Sequence, residues 1–175
     1  MTHDPAAVIR EHSDFVWRVL RHLGLPESQL EDTSQEVFLI VLRQLAQFEA
    51  RSSLRTWIYG ICRNVAQRIR MRQRREEIST EPTEPSAAPT QDRELWLKQA
   101  HAQLIAALDT LDPDQRAVFV LYEIEELPME EIAAGQAAPI TTCYSRLQVA
   151  RSKIEAALRR REQRGSFQLL KGGGR

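Results

Sequence analysis

Residues 129–161 read MEEIAAGQAAPITTCYSRLQVARSKIEAALRRR, and this stretch decides the fold. A short helix is predicted over about Met129–Ala134, Gly135–Ala138 makes a tight connection, and Pro139 opens a last helix that runs through Leu147 and Leu158 to about Arg161. A short helix, a brief turn and a long basic helix form the helix-turn-helix plan, whose second helix enters the DNA major groove by its N-terminal residues. Immediately upstream, Asp112-Pro113-Asp114-Gln115 is a helix start, with an Asp cap, Pro at the first position and Gln in the capping-box place. That helix carries Val118, Leu121 and Tyr122 and ends near Leu127. Before it, Leu97, Leu104, Leu108 and Leu111 form a helical stripe, so a domain is expected over 95–164, with 165–175 as a disordered tail.

Toward the N-terminus the chain is again helical. A first amphipathic helix is expected from about Pro5 to Leu23, with Val8, Phe15, Val19 and Leu23 on one stripe and a stop at Gly24. Ser28 with Glu31 reads as a capping box opening a helix that continues through Leu45. Val37–Leu42 is apolar nearly all round and should be the buried centre of this domain. Phe48–Ser53 reads as a loop, and Ser53 as the N-cap of a third helix reaching about Arg75, with Trp57, Ile61 and Val65 on its inner face and Tyr59 as the exposed aromatic. This gives a domain over 5–75. Residues 76–92, EEISTEPTEPSAAPTQD, have no helical or strand period and three prolines, so 76–94 reads as an extended, flexible linker. The expected architecture is all-α, two small helical domains joined by an acidic proline-rich linker.

Composition narrows the function. No apolar run exceeds six residues, the length of Val37–Leu42, far below the roughly 20 that span a bilayer. The N-terminus lacks the basic start and apolar core of a secretion signal, so the protein is expected in the cytoplasm. Cys62 and Cys143 stand far apart and read as core residues, and the four histidines make no zinc-binding spacing. No metal site, cofactor motif or catalytic constellation is found, which argues against an enzyme or a small-molecule substrate. The net charge is zero, yet the 24 basic residues, 21 of them arginine, are clustered. Residues 51–75 hold eight arginines and no acid; 139–164 hold seven basic residues against Glu155 and Glu162. Two acid-poor blocks on predicted helices favour nucleic acid over a merely solvated helix face.

Asp32-Thr33-Ser34-Gln35-Glu36-Val37-Phe38-Leu39, then Phe48-Glu49-Ala50-Arg51-Ser52-Ser53-Leu54-Arg55-Thr56-Trp57-Ile58-Tyr59, then Arg63-Asn64-Val65-Ala66, resemble region two of bacterial sigma factors of the extracytoplasmic-function group. Leu111-Asp112-Pro113-Asp114-Gln115-Arg116-Ala117-Val118-Phe119, Glu130-Glu131-Ile132-Ala133, Tyr144-Ser145-Arg146-Leu147 and Ala150-Arg151 resemble their region four. The resemblance implies a transcription initiation subunit that binds core RNA polymerase, recognises the minus-ten and minus-thirty-five promoter elements and helps to melt the DNA. It places Asp32, Gln35 and Glu36 on the β′ coiled coil of the polymerase. It places Arg51, Ser52, Ser53, Arg55, Tyr59, Asn64 and Arg68 at the minus-ten element, where Asn64 can pair with adenine. Thr141, Thr142, Tyr144, Ser145, Arg146, Gln148 and Arg151 fall at the minus-thirty-five element, with the domain on the β flap. It also implies a cognate anti-sigma factor.

Several positions depart from the family pattern. Ala50 and Glu126 replace glycines, Arg68 stands where Asp is common, Tyr122 replaces an arginine, Val149 a polar or basic residue, and Gly135-Gln136 an apolar pair. Arg146 has a second reading, as a salt-bridge partner of the acidic 123–131 stretch. The rival in another class is a helix-turn-helix repressor or activator acting alone, although repressors usually dimerise and no heptad zipper is present. A helical adaptor without DNA contact would leave both arginine blocks unexplained.

Overall fold

The computed structural model describes residues 4–77 and 92–172, and among them the elements are helical throughout: α1 (Pro5–His22), α2 (Glu27–Gln44), α3 (Leu54–Glu77), α4 (Asp92–Leu108), α5 (Pro113–Phe119), α6 (Met129–Gln136) and α7 (Ile140–Gly172). Contacts divide them into two units, one holding α1, α2 and α3 with residues 130–137, the other holding α4, α5 and α7. The proline-rich part of the expected linker, 78–91, lies outside the described residues, as does the tail at 173–175.

In the first unit each of α1, α2 and α3 packs on the other two. Asp4 caps α1 by accepting the Ala6 N–H at 3.1 Å, with Pro5 in the first turn, and the inner stripe of Val8, Phe15, Val16, Val19 and Leu20 is buried. Gly24, at φ 86°, turns the chain out of the helix at a conformation that costs glycine nothing. The capping box expected at Ser28 does not form. Pro26 takes the N-cap position with no side-chain cap, and Ser28 lies inside the first turn, because the fixed proline φ starts the helix at Glu27. Val37, Phe38 and Val41 are buried as expected, but Leu39 is 55% exposed. A helix with two neighbours buries only part of its circumference, so the apolar run exceeds what the bundle covers.

Ser53 caps α3: its Oγ accepts the Thr56 N–H at 3.3 Å. The buried arc of α3 is Ile58, Tyr59, Ile61, Cys62, Val65 and Ala66, rotated by about one position from the predicted face. Tyr59 is therefore only 3% exposed and Trp57 half-buried, the reverse of the expected order. Arg70 donates to the Leu23 carbonyl at 3.2 Å and Gln73 to Gln29 at 3.0 Å, tying the end of α3 to the other helices. Full burial of side chains such as Phe15, Leu20, Leu30 and Ile58 is worth about 1.5–3 kcal/mol each.

In the second unit Asp112 caps α5 as expected, accepting the N–H groups of Asp114 at 3.1 Å and Gln115 at 2.8 Å. α5 continues as a π-helical turn over Val120–Ile124, and the chain leaves it through Glu126 at φ 54°. Arg116 is buried against Asp109, Nη1 to Oδ1 at 2.7 Å. α7 turns Cys143, Leu147, Ala150 and Ile154 inward and packs on α5 and α4. Leu97 departs from its expected stripe: it is exposed, because among the described side chains of α4 only Ala107 and Leu108, in its last turn, are buried. α6 runs to Gln136, with Gly135 inside it, and the turn is made by Ala137 at φ 49° and the residues up to Pro139. α7 also outruns its expected end near Arg161. One interior glycine, Gly165, costs about 1 kcal/mol, which does not stop a helix whose following residues favour it.

Candidate nucleic-acid interface

The arginine-rich half of α3 lies beside the acidic face of α2. Asp32 and Gln35 are exposed on α2, while Glu36 is half-buried and forms an ion pair with Arg68 of α3. Gln29, Asp32, Glu36, Arg68 and Arg72 line one polar cleft of about 500 Å3. Two of the three side chains expected to meet polymerase, Asp32 and Glu36, thus share a surface with one of those expected to meet DNA, and Arg68 is engaged by a carboxylate within the protein.

The loop before α3 owes its shape to Ala50, which holds φ 53°, the conformation for which glycine is the unstrained residue. Arg51 and Glu49 are paired at 2.5 Å and both exposed. Ser52 is half-exposed, and Ser53 spends its hydroxyl on the α3 cap and on Thr56 Oγ1 at 2.9 Å. The Arg55 guanidinium lies 5.3 Å from the centre of the Phe15 ring, a cation–π contact that holds its stem down while leaving the residue exposed. Asn64 is exposed about two and a half turns further along α3. Tyr59, buried in the bundle, is corrected from an exposed stacking platform to a core residue. Trp57 is the aromatic nearer the surface, packed at 5.1 Å on Phe48.

On α7 the expected reading residues divide into two groups. Thr141, Tyr144, Ser145, Gln148 and Arg151 are exposed, whereas Thr142 and Arg146 are half-buried. Arg146 reaches Asp114 on α5 at 2.7 Å, a carboxylate outside the 123–131 stretch. That stretch is engaged by Arg151, whose Nε donates to Glu123 Oε1 at 2.6 Å. Ser145 Oγ donates to the Thr141 carbonyl at 3.0 Å, and Tyr144 meets Tyr122 edge-on at 6.4 Å.

Burial pushes the Cys62 and Cys143 thiols up, with Arg146 partly opposing the effect at Cys143, so neither is a reactive thiolate at neutral pH. Among the described residues no group of three His, Cys, Asp or Glu side chains has a metal-binding arrangement, and no helix is long and apolar enough to cross a membrane.

The sequence profile of sigma-70 region 2 matches residues 8–76, and that of sigma-70 region 4 matches residues 101–154. The chain is 30% identical over 150 residues to the ECF RNA polymerase sigma factor SigC of Mycobacterium tuberculosis, covering 86% of this chain and 80% of the relative. This chain belongs to the extracytoplasmic-function sigma factors. The family is the promoter-directing group of RNA polymerase initiation subunits. The sigma factor is also 30% identical over 142 residues to the sigma-E factor of Escherichia coli K12, covering 75% and 74%. Against SigE of Mycolicibacterium smegmatis it is 30% identical over 154 residues but spans only 58% of that longer relative. Its fold resembles CnrH, solved with the cytosolic domain of CnrY, at TM-score 0.63 and 21% identity over 88% of this chain and 86% of that one. It also resembles RpoE from Bartonella quintana, solved with the anti-sigma factor NepR, at TM-score 0.57 and 25% identity, covering 86% and 96%.

Two features of the sigma factor's surface escaped the sequence reading. Leu39, with Ile9, Trp17, Gln35 and Phe38, lines an apolar groove of about 680 Å3 between α1 and α2, next to the Asp32–Glu36 face. Its signal was present: six consecutive apolar residues are more than one helix of a three-helix bundle can bury. Asp114 and Glu123 as anchors of Arg146 and Arg151 had no such signal, since the partners lie 32 and 28 residues apart in sequence.

Proposed function

We propose that this sigma factor binds core RNA polymerase through the α2 face carrying Asp32, Gln35 and Glu36, directs it to a restricted promoter set, and opens the DNA by capturing exposed bases. The single observation that carries the reading is the match to both sigma regions, in order, together with an exposed carboxylate and amide at Asp32 and Gln35. A carboxylate and an amide one turn apart suit arginines of a coiled-coil partner. The adjoining groove at Leu39 gives that partner apolar area to bury.

In the first domain, proposed to span 5–75, Arg51 and Arg55 supply phosphate contacts at the minus-ten element, Ser52 meets a base edge, and Asn64 pairs with adenine. Unstacking costs a few kcal/mol per step and is offset by such capture. In the second, 95–164, the exposed face of α7 reads the minus-thirty-five element while the domain rests on the β flap. The chain performs no covalent step itself and acts in the cytoplasm, where polymerase and promoter meet. The complex of RpoE with the anti-sigma factor NepR supports an anti-sigma partner for this chain as well.

The test is transcription by purified core polymerase with and without the protein on a pooled fragment library. Discrete new start sites are expected, and Asp32→Ala with Gln35→Ala abolishes them by weakening polymerase binding. Unchanged polymerase association of the double variant would refute the assignment of that face. Binding of the protein alone to duplex DNA, without new starts, would favour a repressor.

A further inference from the structure

The charged side chains on the early turns of α7 are already engaged. Arginine is the commonest reader of guanine, through bidentate bonds to O6 and N7, yet Arg146 is held by Asp114 and Arg151 by Glu123. Arg146 is also recessed, at 27% side-chain exposure. The Ser145 hydroxyl is turned back onto its own helix.

The exposed face offers different chemistry. Three large apolar residues, Ile140, Tyr144 and Val149, stand exposed within ten residues of α7, Val149 at 43%. A single exposed valine on a protein surface is ordinary. Val149 stands beside the exposed amide of Gln148 and one turn from the exposed Ser145 and Ser152 on the same helix. Val149 and Gln148 both line the shallow surface groove that continues to Ala156. In the major groove the only base edge that offers an apolar group is thymine, through its C5-methyl, and an amide side chain pairs bidentately with adenine N6 and N7.

We infer that Val149 contacts a thymine C5-methyl and Gln148 an adjacent adenine edge, so that this sigma factor selects A·T pairs at that step of its minus-thirty-five element and not guanine. The inference rests on the proposed promoter-reading role of α7 and specifies what that face reads.

The experiment uses holoenzyme reconstituted from core polymerase and the full chain, on one active promoter randomised across the minus-thirty-five element. Wild type should enrich A·T pairs at one step. Replacing the selected thymine by deoxyuridine, which removes only the methyl group, should then lower open-complex formation about fourfold, the worth of one buried methyl group. Val149→Ala should initiate but lose the distinction between thymine and deoxyuridine, and Val149→Arg should shift the enriched base to guanine. Enrichment of guanine by wild type, or an equal deoxyuridine effect in wild type and Val149→Ala, overturns the inference while leaving the sigma-factor reading intact. Absence of promoter-specific initiation by wild type overturns that reading, and the inference with it.

Discussion

Replacing Glu126 by glycine should stabilise the second unit. Glu126 sits at φ 54° where the chain leaves the π-helical turn, and its side chain is exposed. A residue with a Cβ pays about 1–2 kcal/mol in this conformation, from contact of Cβ with the following carbonyl. Glycine avoids that cost but loses about 0.5–1 kcal/mol of backbone entropy on folding. The net gain for Glu126→Gly is about 0.5–1 kcal/mol, or a rise of a few degrees in Tm for a unit of this size. Glu155→Gly is the matched control: also an exposed glutamate, but inside α7, where glycine should cost about 0.5–1 kcal/mol. Amide hydrogen exchange at Leu147 and Ala150, buried in the same unit, reports both variants on one scale. Protection should rise several-fold for Glu126→Gly and fall for Glu155→Gly. At Glu155 the loss also includes its exposed ion pair with Arg159, worth about 0.3–0.5 kcal/mol, which does not change the sign expected there; a fall at both sites would refute the strain argument.

Phe15→Ala should destabilise the first unit by about 3–5 kcal/mol, because its ring is 1% exposed and carries the Arg55 contact; denaturant unfolding followed by tryptophan fluorescence would show it. Asp112→Ala removes an acceptor shared by two N–H groups and should cost about 1 kcal/mol, lowering protection in α5, with Asp112→Asn or Asp112→Ser restoring most of it. Burial keeps the Cys62 thiol neutral in the folded chain, so the unfolded chain releases that proton first. Stability from this source is fully present below about pH 8.5, the ordinary cysteine value, and declines as pH rises above it. Cys62→Ala should flatten the alkaline limb of a stability–pH profile, and an unchanged slope between pH 8 and 10 would count against the assignment.

The parts of the molecule legible in the sequence are those governed by neighbours along the chain. The cap at Asp112, the cap at Ser53 and the glycine stop at Gly24 are local chemistry, and each appears where the residues place it. Even the family departures at Ala50 and Glu126 mark positions of left-handed backbone. What failed depended on partners elsewhere. Tyr59 and Trp57 lie at opposite margins of the α3 inner arc, and periodicity cannot say which margin the bundle covers. Leu39 is exposed because the helices around α2 leave one side open. Arg68, Arg146 and Arg151 were legible as basic residues on helices, but their pairing with Glu36, Asp114 and Glu123 is set by packing over more than 25 residues of chain.

These pairings bear on how the protein senses salt. A free arginine that takes up a DNA phosphate displaces a condensed cation into solution, and the logarithm of affinity then falls with that of salt by about 0.9 per contact on duplex DNA. Arg51, Arg68, Arg146 and Arg151 each already hold a carboxylate. A phosphate that recruits one of them frees Glu49, Glu36, Asp114 or Glu123, and the abandoned carboxylate attracts a cation of its own. The ion released at the DNA is thereby recaptured at the protein, so the exchange is nearly neutral in ions, and affinity for promoter DNA depends on ionic strength far less steeply than the arginine count alone would give.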